Sequence, residues 1–394
     1  MSGPLVGLRV LDLGRYIAAP YCGAMLGDFG ADVIKVERLG GEDVRRQPPL
    51  VDGDSTYVHA YNRSKRGLAL DTRHPRGRAL LRRLALRADV VLENFRPGVM
   101  ARLGCDYESL RAEHPGLIMA SITGFGQDGP YAHKPAFDSI AQAMSGLMSL
   151  TGEPDRPPVL NGTFIADYAT ALYTTIGILL ALRERDRTGQ GQHIDVALLD
   201  SAASLLTSAI PDARAAGVLL DRTGARDRAK APVNAYPARD GQVLIAAVTQ
   251  AQFASLAQAI GAEELCQDPR FASPEARHDN VEALDAVITA WTRERCVTEI
   301  VERLERAEVP CTPVAGIEAV IANPQLHHRG MIVELERPSG ARIPVAGQPI
   351  HLSGTPATLT RAAPEVGQHS SEVLRDWLEL DEATIGELTR EGII

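Results

Sequence analysis

The sequence is 394 residues long, and its 45% hydrophobic and 23% charged residues are typical of a globular protein. A formal net charge of −9 argues against nucleic acid or an anionic membrane as the main partner. The chain lacks both a run of about 18 uninterrupted apolar residues and a signal-peptide pattern, so we expect no membrane span. The five cysteines are scattered without a CxxC pair, which indicates a reducing cytoplasm and speaks against a zinc site.

The first half of the chain alternates buried-strand patterns with helix patterns, beginning with the apolar run LRVLDLG and its glycine stop. This alternation predicts an α/β fold, a doubly wound parallel sheet of the Rossmann type. Strands are predicted at 8–14, 31–37, 67–72, 88–95, 116–126 and 193–198, and helices at 20–30, 74–87, 107–115, 167–185 and 199–209. Ligands of such sheets bind at the carboxyl ends of the strands. The candidate binding loops are therefore 14–18, 38–41, 94–98 and 124–129.

Composition changes divide the chain into four segments. A large α/β domain is predicted at 1–205, a charge-dense linker at 206–232 and a smaller α+β domain at 233–330. The remaining segment, 331–394, contains a strand pair that turns at Ser339 and Gly340 and a final short helix at 370–380. The sequence therefore predicts two folded domains and a C-terminal segment that follows them.

Cations cluster near the predicted sheet edge in an otherwise acidic protein. The clustered residues are Arg38, Arg45, Arg46, Arg63, Lys65 and Arg66. Such a run is typical of a solvated face, and the alternative is a site for a phosphate-bearing ligand. The loop GRYIAAP after the first strand is not GxGxxG, so the fingerprint of dinucleotide oxidoreductases is absent.

Asp167 stands where a glycine-bearing loop gives way to a long apolar segment. One interpretation is a helix N-cap, because an aspartate there satisfies free backbone NH groups. The other is a covalent nucleophile, kept ionised by the positive end of the helix dipole. The local sequence leaves both interpretations open.

Several strings, taken in order, resemble the family III CoA-transferases, the group that contains formyl-CoA transferase, carnitine CoA-transferase and the α-methylacyl-CoA racemases. The first 205 residues carry the resemblance most densely, in GLRVLDLGRYIAAPYCGAMLGDFGADVIKVER, NRSKRGLALD, ADVVLENFRPGVMARLG, ITGFGQDGPYAHKPAFDSIAQAMSGLMSLTG and DYATALYTTIGILLALRERDRTGQGQHIDVALLD. The remainder of the chain matches loosely.

The resemblance implies a large CoA-binding domain, a C-terminal tail that packs on it, and an interlocked homodimer. The substrates would be coenzyme A as acyl-CoA and a small carboxylic acid, with no tightly bound cofactor and no metal. Asp167 would be the nucleophile, forming first an aspartyl anhydride and then an aspartyl-CoA thioester. Backbone NH groups near the helix start would stabilise the oxyanions. The implied CoA contacts are Ile17, Ala18, Arg38, Asn62, Arg63, Ser64, Lys65, Asn94, Phe95, Arg96, Arg102, Pro135, Ala136, Phe137 and Asp138.

Three other functions are open to such a chain. An acyl-CoA racemase or epimerase of the same superfamily carries a histidine before the aspartate of a GHD string, where this sequence has Phe137, which cannot carry a proton. A catalytically inactive CoA-binding protein would not need Asp167. A nucleotide-dependent oxidoreductase would need the missing glycine fingerprint.

The acceptor acid is predicted only by class. The glycine string GGGGQ, which covers the active site in formyl-CoA transferase, is absent, so formyl-CoA and oxalate are not the expected pair. Arg45, Arg46 and His59 could receive the second carboxylate of a short dicarboxylic acid such as succinate.

Overall fold

The computed structural model describes residues 3–359 and 361–394. The strands are β1 Arg9–Asp12, β2 Asp32–Glu37, β3 Leu50–Val51, β4 Asp54–Ser55, β5 Lys65–Ala69, β6 Val90–Glu93, β7 Ile118–Thr123, β8 His193–Ala197, β9 Val233–Pro237, β10 Gln242–Ala246, β11 Cys311–Pro313, β12 Ile332–Glu336 and β13 Arg342–Ala346.

The α-helices are α1 Ala18–Asp28, α2 Thr56–Tyr61, α3 Pro75–Ala85, α4 Val99–Arg102, α5 Tyr107–Arg111, α6 Asp138–Ser145, α7 Ile165–Thr188, α8 Leu198–Ser204, α9 Ala209–Ala215, α10 Gln250–Ile260, α11 Pro274–Asp279, α12 Val281–Thr292, α13 Val297–Arg306, α14 Ile317–Ile321, α15 Pro324–His328, α16 Ser370–Leu378 and α17 Glu382–Arg390. Short 3-10 helices lie at Asp43–Arg46, Met148–Leu150 and Glu263–Cys266.

A six-stranded sheet forms the centre of the first compact unit, in the order β5-β2-β1-β6-β7-β8. Every neighbouring pair in this sheet is parallel, so the predicted parallel α/β sheet is confirmed. The chain builds outward from β1 to β5 on one side and from β6 to β8 on the other. The strand order therefore reverses between β1 and β6, and a crevice at this point is the usual ligand site of a doubly wound sheet.

Alternate residues of the strands face two separate cores, because successive side chains of a strand point to opposite faces. On one face, Leu11 and Val91 pack with α3 and with Trp377 of α16. On the other face, Val10 and Leu92 pack with residues of α1 and α7. Both faces of the inner strands are covered, which explains the consecutive apolar residues in β1, β6 and β7.

The helix α7, of 24 residues, is long and apolar enough by composition to cross a membrane. Its buried side, which includes Ala171 and Ile178, packs in the same core as β1, β6 and β7. Helices that pack on a protein core can have the same length and composition as membrane spans, and one side of α7 packs in this way.

The chain divides into two compact units. The first contains the described residues up to 148, 160–211 and 324–394, and the second contains 149–159 and 212–323. In the second unit the antiparallel strands β9, β10 and β11 pack against α10, α12 and α13 around Phe253 and Trp291. The predicted linker 206–232 contains the helix α9, and the sequence did not indicate that 149–159 belongs to the second unit.

Predicted details of the C-terminal segment agree with the structure in part. The strands β12 and β13 form the expected antiparallel pair, with Gly340 at a φ of 85° in the turn. The predicted helix 370–380 corresponds to α16, whereas α17 was not predicted. Arg66 of β5 donates to Glu372 and Asp376 of α16, which fixes this helix to the sheet.

Candidate active site

Asp167 is the third residue of α7 and lies in the first turn of this helix. The N-cap residue is Phe164, whose side chain makes no cap hydrogen bond. The cap is instead Asp138, which begins α6: its Oδ1 accepts from the backbone NH groups of Ala166 (2.8 Å) and Asp167 (3.3 Å). The interpretation of Asp167 as a helix cap is therefore wrong, since a second carboxylate already performs that task.

The buried carboxylate of Asp138 affects the charge of Asp167. Burial, and next the charge of Asp138, raise the pKa of Asp167 to about 7. Asp138 is itself buried, and its Oδ2 accepts from Gln142 Nε2 at 2.6 Å. The ionised form of Asp167 is thus poorly solvated, which makes the carboxylate more reactive as a nucleophile than one in water.

The same cap removes one element of the expected chemistry. The NH groups of Ala166 and Asp167 are occupied by Asp138 and cannot also bind an oxyanion in this arrangement. Oxyanion stabilisation requires donors directed at the reacting atoms. The NH groups of Ala166 and Asp167 therefore do not form the expected oxyanion site.

Aromatic rings surround the start of α7, and the sequence analysis missed them. The hydroxyls of Tyr61 and Tyr168 lie 2.7 Å apart, and Tyr21 packs edge-on against both rings at 5.9 and 5.8 Å between ring centres. Tyr57 packs against Phe164 at 5.8 Å. Burial and then the hydrogen bond to Tyr168 raise the pKa of Tyr61, and the charge of Asp167 acts in the same direction. The available signal was the spacing of Tyr57 and Tyr61, four residues apart on one helix face.

The predicted cations at residues 62–65 are directed into the protein. Lys65 is fully buried, and its Nζ donates to Asp12 Oδ2 (2.7 Å) and Asn62 Oδ1 (2.9 Å). Burial lowers the pKa of Lys65 to about 8 despite the neighbouring carboxylate. Arg63 pairs with Asp28 at 2.8 Å, and both side chains are buried. Both charges are neutralised by internal ion pairs, so neither side chain is available to bind a phosphate in this arrangement.

A compact ammonium explains why lysine stands at this point in an arginine-rich chain. Besides its carboxylate and amide partners, Lys65 donates to the carbonyl of Pro20 at 2.7 Å. Lys35, also fully buried, pairs with Glu42 at 3.0 Å and donates to the carbonyl of Gly14. A planar guanidinium has a different shape and donor geometry and is no substitute there. Lys35 thus holds the loop after β1 at Gly14, and Lys65 ties the end of β1 to the first turn of α1.

A pocket opens at the reversal point of the sheet, among the carboxyl ends of β1, β2 and β6. Its cavity volume is about 70 Å³. Its lining residues are Leu13, Gly14, Arg15, Lys35, Val36, Glu37, Arg38, Glu42, Leu70, Thr72, Leu81, Phe95 and Leu103. The predicted binding loops 14–18, 38–41 and 94–98 therefore meet at one place, and Arg38 and Phe95 are the predicted contacts that line it.

The loop after β6 is tied to the loop after β1. The side chain of Asn94 accepts from the NH of Arg15 at 2.7 Å and donates to its carbonyl at 2.8 Å. The guanidinium of Arg15 lies 5.5 Å from the centre of the Phe95 ring. Arg96 and Arg102 are exposed beside these groups. Asn94 therefore joins the two loops that contribute Arg15 and Phe95 to the pocket, while Arg96 and Arg102 are exposed neighbours of the lining residues Phe95 and Leu103.

The other predicted contacts lie on two adjoining segments. Ile17 and Ala18 are buried at the start of α1. Pro135 is exposed, Ala136 is half-buried, and Phe137 is 64% exposed. The Phe137 ring packs edge-on against Tyr16 at 6.0 Å, which connects the loop before α6 with the loop after β1.

The groups proposed to receive a second substrate carboxylate have other partners. Arg45 is buried and pairs with Glu37 (2.6 Å) and Asp54 (3.0 Å). His59 is also buried, and its Nε2 lies 2.9 Å from the carbonyl oxygen of Val51. Among these three groups, Arg46 is the exposed one. The structure therefore gives no support to a carboxylate site built from Arg45 and His59. Within residues 3–359 and 361–394, no group of three or more histidine, cysteine, aspartate or glutamate side chains could hold a metal ion.

Comparison with known sequences identifies the family to which this protein belongs. The pattern of CoA-transferase family III matches residues 5–370. The chain belongs to CoA-transferase family III. The succinate–glutarate CoA-transferase of Agrobacterium fabrum is 41% identical over 97% of both chains. The succinyl-CoA–D-citramalate CoA-transferase of Chloroflexus aurantiacus is 38% identical, over 99% of this chain and 98% of that one.

Solved structures agree with this assignment. A CaiB/BaiF family protein from Brucella suis superimposes with a TM-score of 0.89 and 40% identity, covering 96% of this chain and all of that one. The protein is thus an enzyme that acts as a CoA-transferase, as the resemblance in the sequence analysis implied. Relatives of this kind use CoA thioesters and carboxylic acids as substrates.

Proposed function

We propose that this CoA-transferase takes CoA from succinyl-CoA and passes it to a second small carboxylic acid, with Asp167 as the nucleophile. The observation that carries the proposal is the partly buried carboxylate of Asp167, which lies beside the carboxylate of Asp138 and has a pKa raised to about 7. The donor is inferred from relatives whose names specify succinate or succinyl-CoA with glutarate, citramalate or mesaconate as the other acid. The common element of these names is a succinyl group.

The proposed reaction runs through covalent intermediates. The ionised oxygen of Asp167 attacks the thioester carbonyl, the C–S bond breaks, and an aspartyl–acyl anhydride and the CoA thiolate result. The thiolate then attacks the aspartyl carbonyl and displaces succinate, which leaves an aspartyl-CoA thioester. The acceptor carboxylate repeats both steps in reverse order and leaves with CoA. This sequence divides one unfavourable exchange into four attacks on activated carbonyls, with no proton gained or lost overall.

The CoA site in this proposal is the pocket at the reversal point of the sheet. The Phe95 ring and the apolar side chains around it offer a contact surface for a flat heterocycle, and the exposed Arg96 and Arg102, which adjoin the lining residues Phe95 and Leu103 in the chain, supply positive charge for phosphates. Arg38 is half-exposed and donates to Asp43 and to the carbonyl of Gly41. Ile17, Ala18 and the segment from Pro135 to Asp138 complete the proposed contacts.

The proposed assembly is a homodimer, and the apolar surface of the first unit supports it. Exposed apolar residues lie along α6 and α7: Ile140, Met144, Leu172, Tyr173, Ile176, Leu179 and Leu180. Exposed apolar residues at helical spacing on one side of α7 are typical of a protein interface. Because all five cysteines are unpaired thiols, we also propose the reducing cytoplasm as the location.

The test is mass spectrometry of the enzyme incubated with succinyl-CoA and then treated with hydroxylamine, which converts an aspartyl thioester to a hydroxamate. We expect the modification on the peptide that contains Asp167, and none in the Asp167→Asn variant. The matched control is Asp186→Asn, which removes an exposed acid from the same helix and should leave the modification intact. Binding of CoA without any covalent modification would instead favour the inactive binding protein, and isomerisation of a 2-methylacyl-CoA would favour the racemase.

A further inference from the structure

A buried acid at the end of β6 has no part in the proposed covalent chemistry. Glu93 is 3% exposed and immediately precedes the loop of Asn94, Phe95 and Arg96. Its Oε2 accepts from the backbone NH of Phe95 at 2.7 Å. Burial raises the pKa of Glu93 to about 7, and its hydrogen bonds with Phe95 and Ser121 act in the opposite direction. A buried carboxyl group needs hydrogen-bond donors to replace its lost hydration, and the backbone NH of Phe95 in the following loop is such a donor.

Glu93 is connected to the surface through two neighbouring strands. Ser121 of β7 stands opposite Glu93 in the sheet register. The Ser121 hydroxyl lies 2.9 Å from Nε2 of His193 on β8, and the exposed imidazole of His193 is stacked on the ring of Tyr107. A hydroxyl has one proton to donate, so a Ser121 that donates to Glu93 accepts from His193. Ser121 therefore lies next to Glu93 in the sheet and contacts the exposed imidazole of His193.

Glu93 holds one wall of the pocket through the Phe95 backbone. The Phe95 ring lines the pocket, and the Arg15 guanidinium lies 5.5 Å from the centre of that ring. The side chain of Asn94 fixes the Arg15 backbone through two hydrogen bonds. Since Glu93 accepts from the residue between Asn94 and Arg96, it sets the path of the loop at the point where the ring turns into the pocket.

We propose that Glu93 is a positioning residue for CoA: its carboxylate fixes the Phe95 backbone, and Ser121 and His193 orient that carboxylate from behind. The inference rests on the proposed function, in which this pocket binds CoA. It predicts that Glu93 affects the affinity for CoA substrates and leaves the steps at Asp167 unchanged.

The experiment measures CoA binding by calorimetry in the Asp167→Asn background, where no covalent step can occur, and steady-state kinetics in the active enzyme. Glu93→Leu removes the acceptor and should raise both the dissociation constant of CoA and the KM for succinyl-CoA about tenfold, with kcat and the KM of the acceptor acid little changed. Glu93→Gln keeps an oxygen for the Phe95 NH and should restore most of the affinity. Ser121→Ala should give an intermediate loss.

Three results with the Glu93 variants would overturn the inference while leaving the proposed function intact. Unchanged CoA affinity in a folded Glu93→Leu variant would do so, as would a Glu93→Gln variant as weak as Glu93→Leu. Equal losses in kcat and in both KM values would indicate a general structural role. Failure of the proposed function is distinguishable, because it appears as missing modification of Asp167 in an enzyme that still binds CoA. An otherwise intact protein that does not bind CoA would overturn both.

Discussion

The raised pKa of Asp167 predicts that the ionised carboxylate lowers the free energy of unfolding of the protein. In the unfolded chain the carboxyl has its ordinary pKa of 3.8, and in the folded chain it has a pKa of about 7. The rise of about three pH units, at about 1.36 kcal/mol each, corresponds to about 4 kcal/mol. Because Asp167 is partly exposed, solvent screening reduces the expected effect to about 2–4 kcal/mol.

The perturbation that tests this is Asp167→Asn, which has the same shape and no charge. A group with a raised pKa contributes stability below its unfolded value and loses it as the pH rises through the folded value. The free energy of unfolding of the variant should therefore equal that of the wild type near pH 4. The variant should become progressively more stable than the wild type between pH 4 and about 7, and the difference should reach its full value of about 2–4 kcal/mol at pH 8. Urea unfolding at several pH values, followed by circular dichroism, measures the difference.

The control is Asp186→Asn, which removes an exposed acid from the same helix and should give a nearly constant difference across this range. A difference between Asp167→Asn and the wild type that does not depend on pH would refute the reasoning. So would a variant that is less stable than the wild type at pH 8. Either result would mean that the Asp167 carboxylate is well solvated or paired, and that its proposed reactivity needs another explanation.

Three further predictions concern the surroundings of the site. The rate of the first turnover with succinyl-CoA should increase as the pH rises through about 7, because the carboxylate form of Asp167 is the nucleophile, and a stopped-flow pH profile with no such rise would contradict this. Tyr61→Phe removes the hydroxyl bonded to Tyr168 and should lower the free energy of unfolding by about 1 kcal/mol, measured by urea titration, and an unchanged value would show that water replaces the bond. Lys65→Met leaves Asp12 buried without its cation and should cost about 3–5 kcal/mol, seen as a fall in melting temperature, and an unchanged melting temperature would contradict this.

Much of the first unit could be predicted from local patterns. The strands of the parallel sheet fall within or beside their predicted ranges, since fully buried strands are short apolar runs bounded by glycine. The loops at the carboxyl ends of β1, β2 and β6 were predicted as binding loops by the general behaviour of such sheets, and they do meet at one pocket. The family was recognisable from ordered motifs that carry this arrangement.

The sequence by itself thus determined the parallel sheet, the family and the position of the candidate nucleophile. Only the tertiary structure decided whether each charged side chain is exposed or is buried in an ion pair. Lys65 and Arg63 appear in the sequence as a surface cation cluster, yet they are paired with Asp12 and Asp28, which lie more than thirty residues away. Asp138 likewise caps the helix of Asp167 from a different helix. Burial and partners depend on contacts between distant segments, and local patterns carry no information about which distant carboxylate will be brought near.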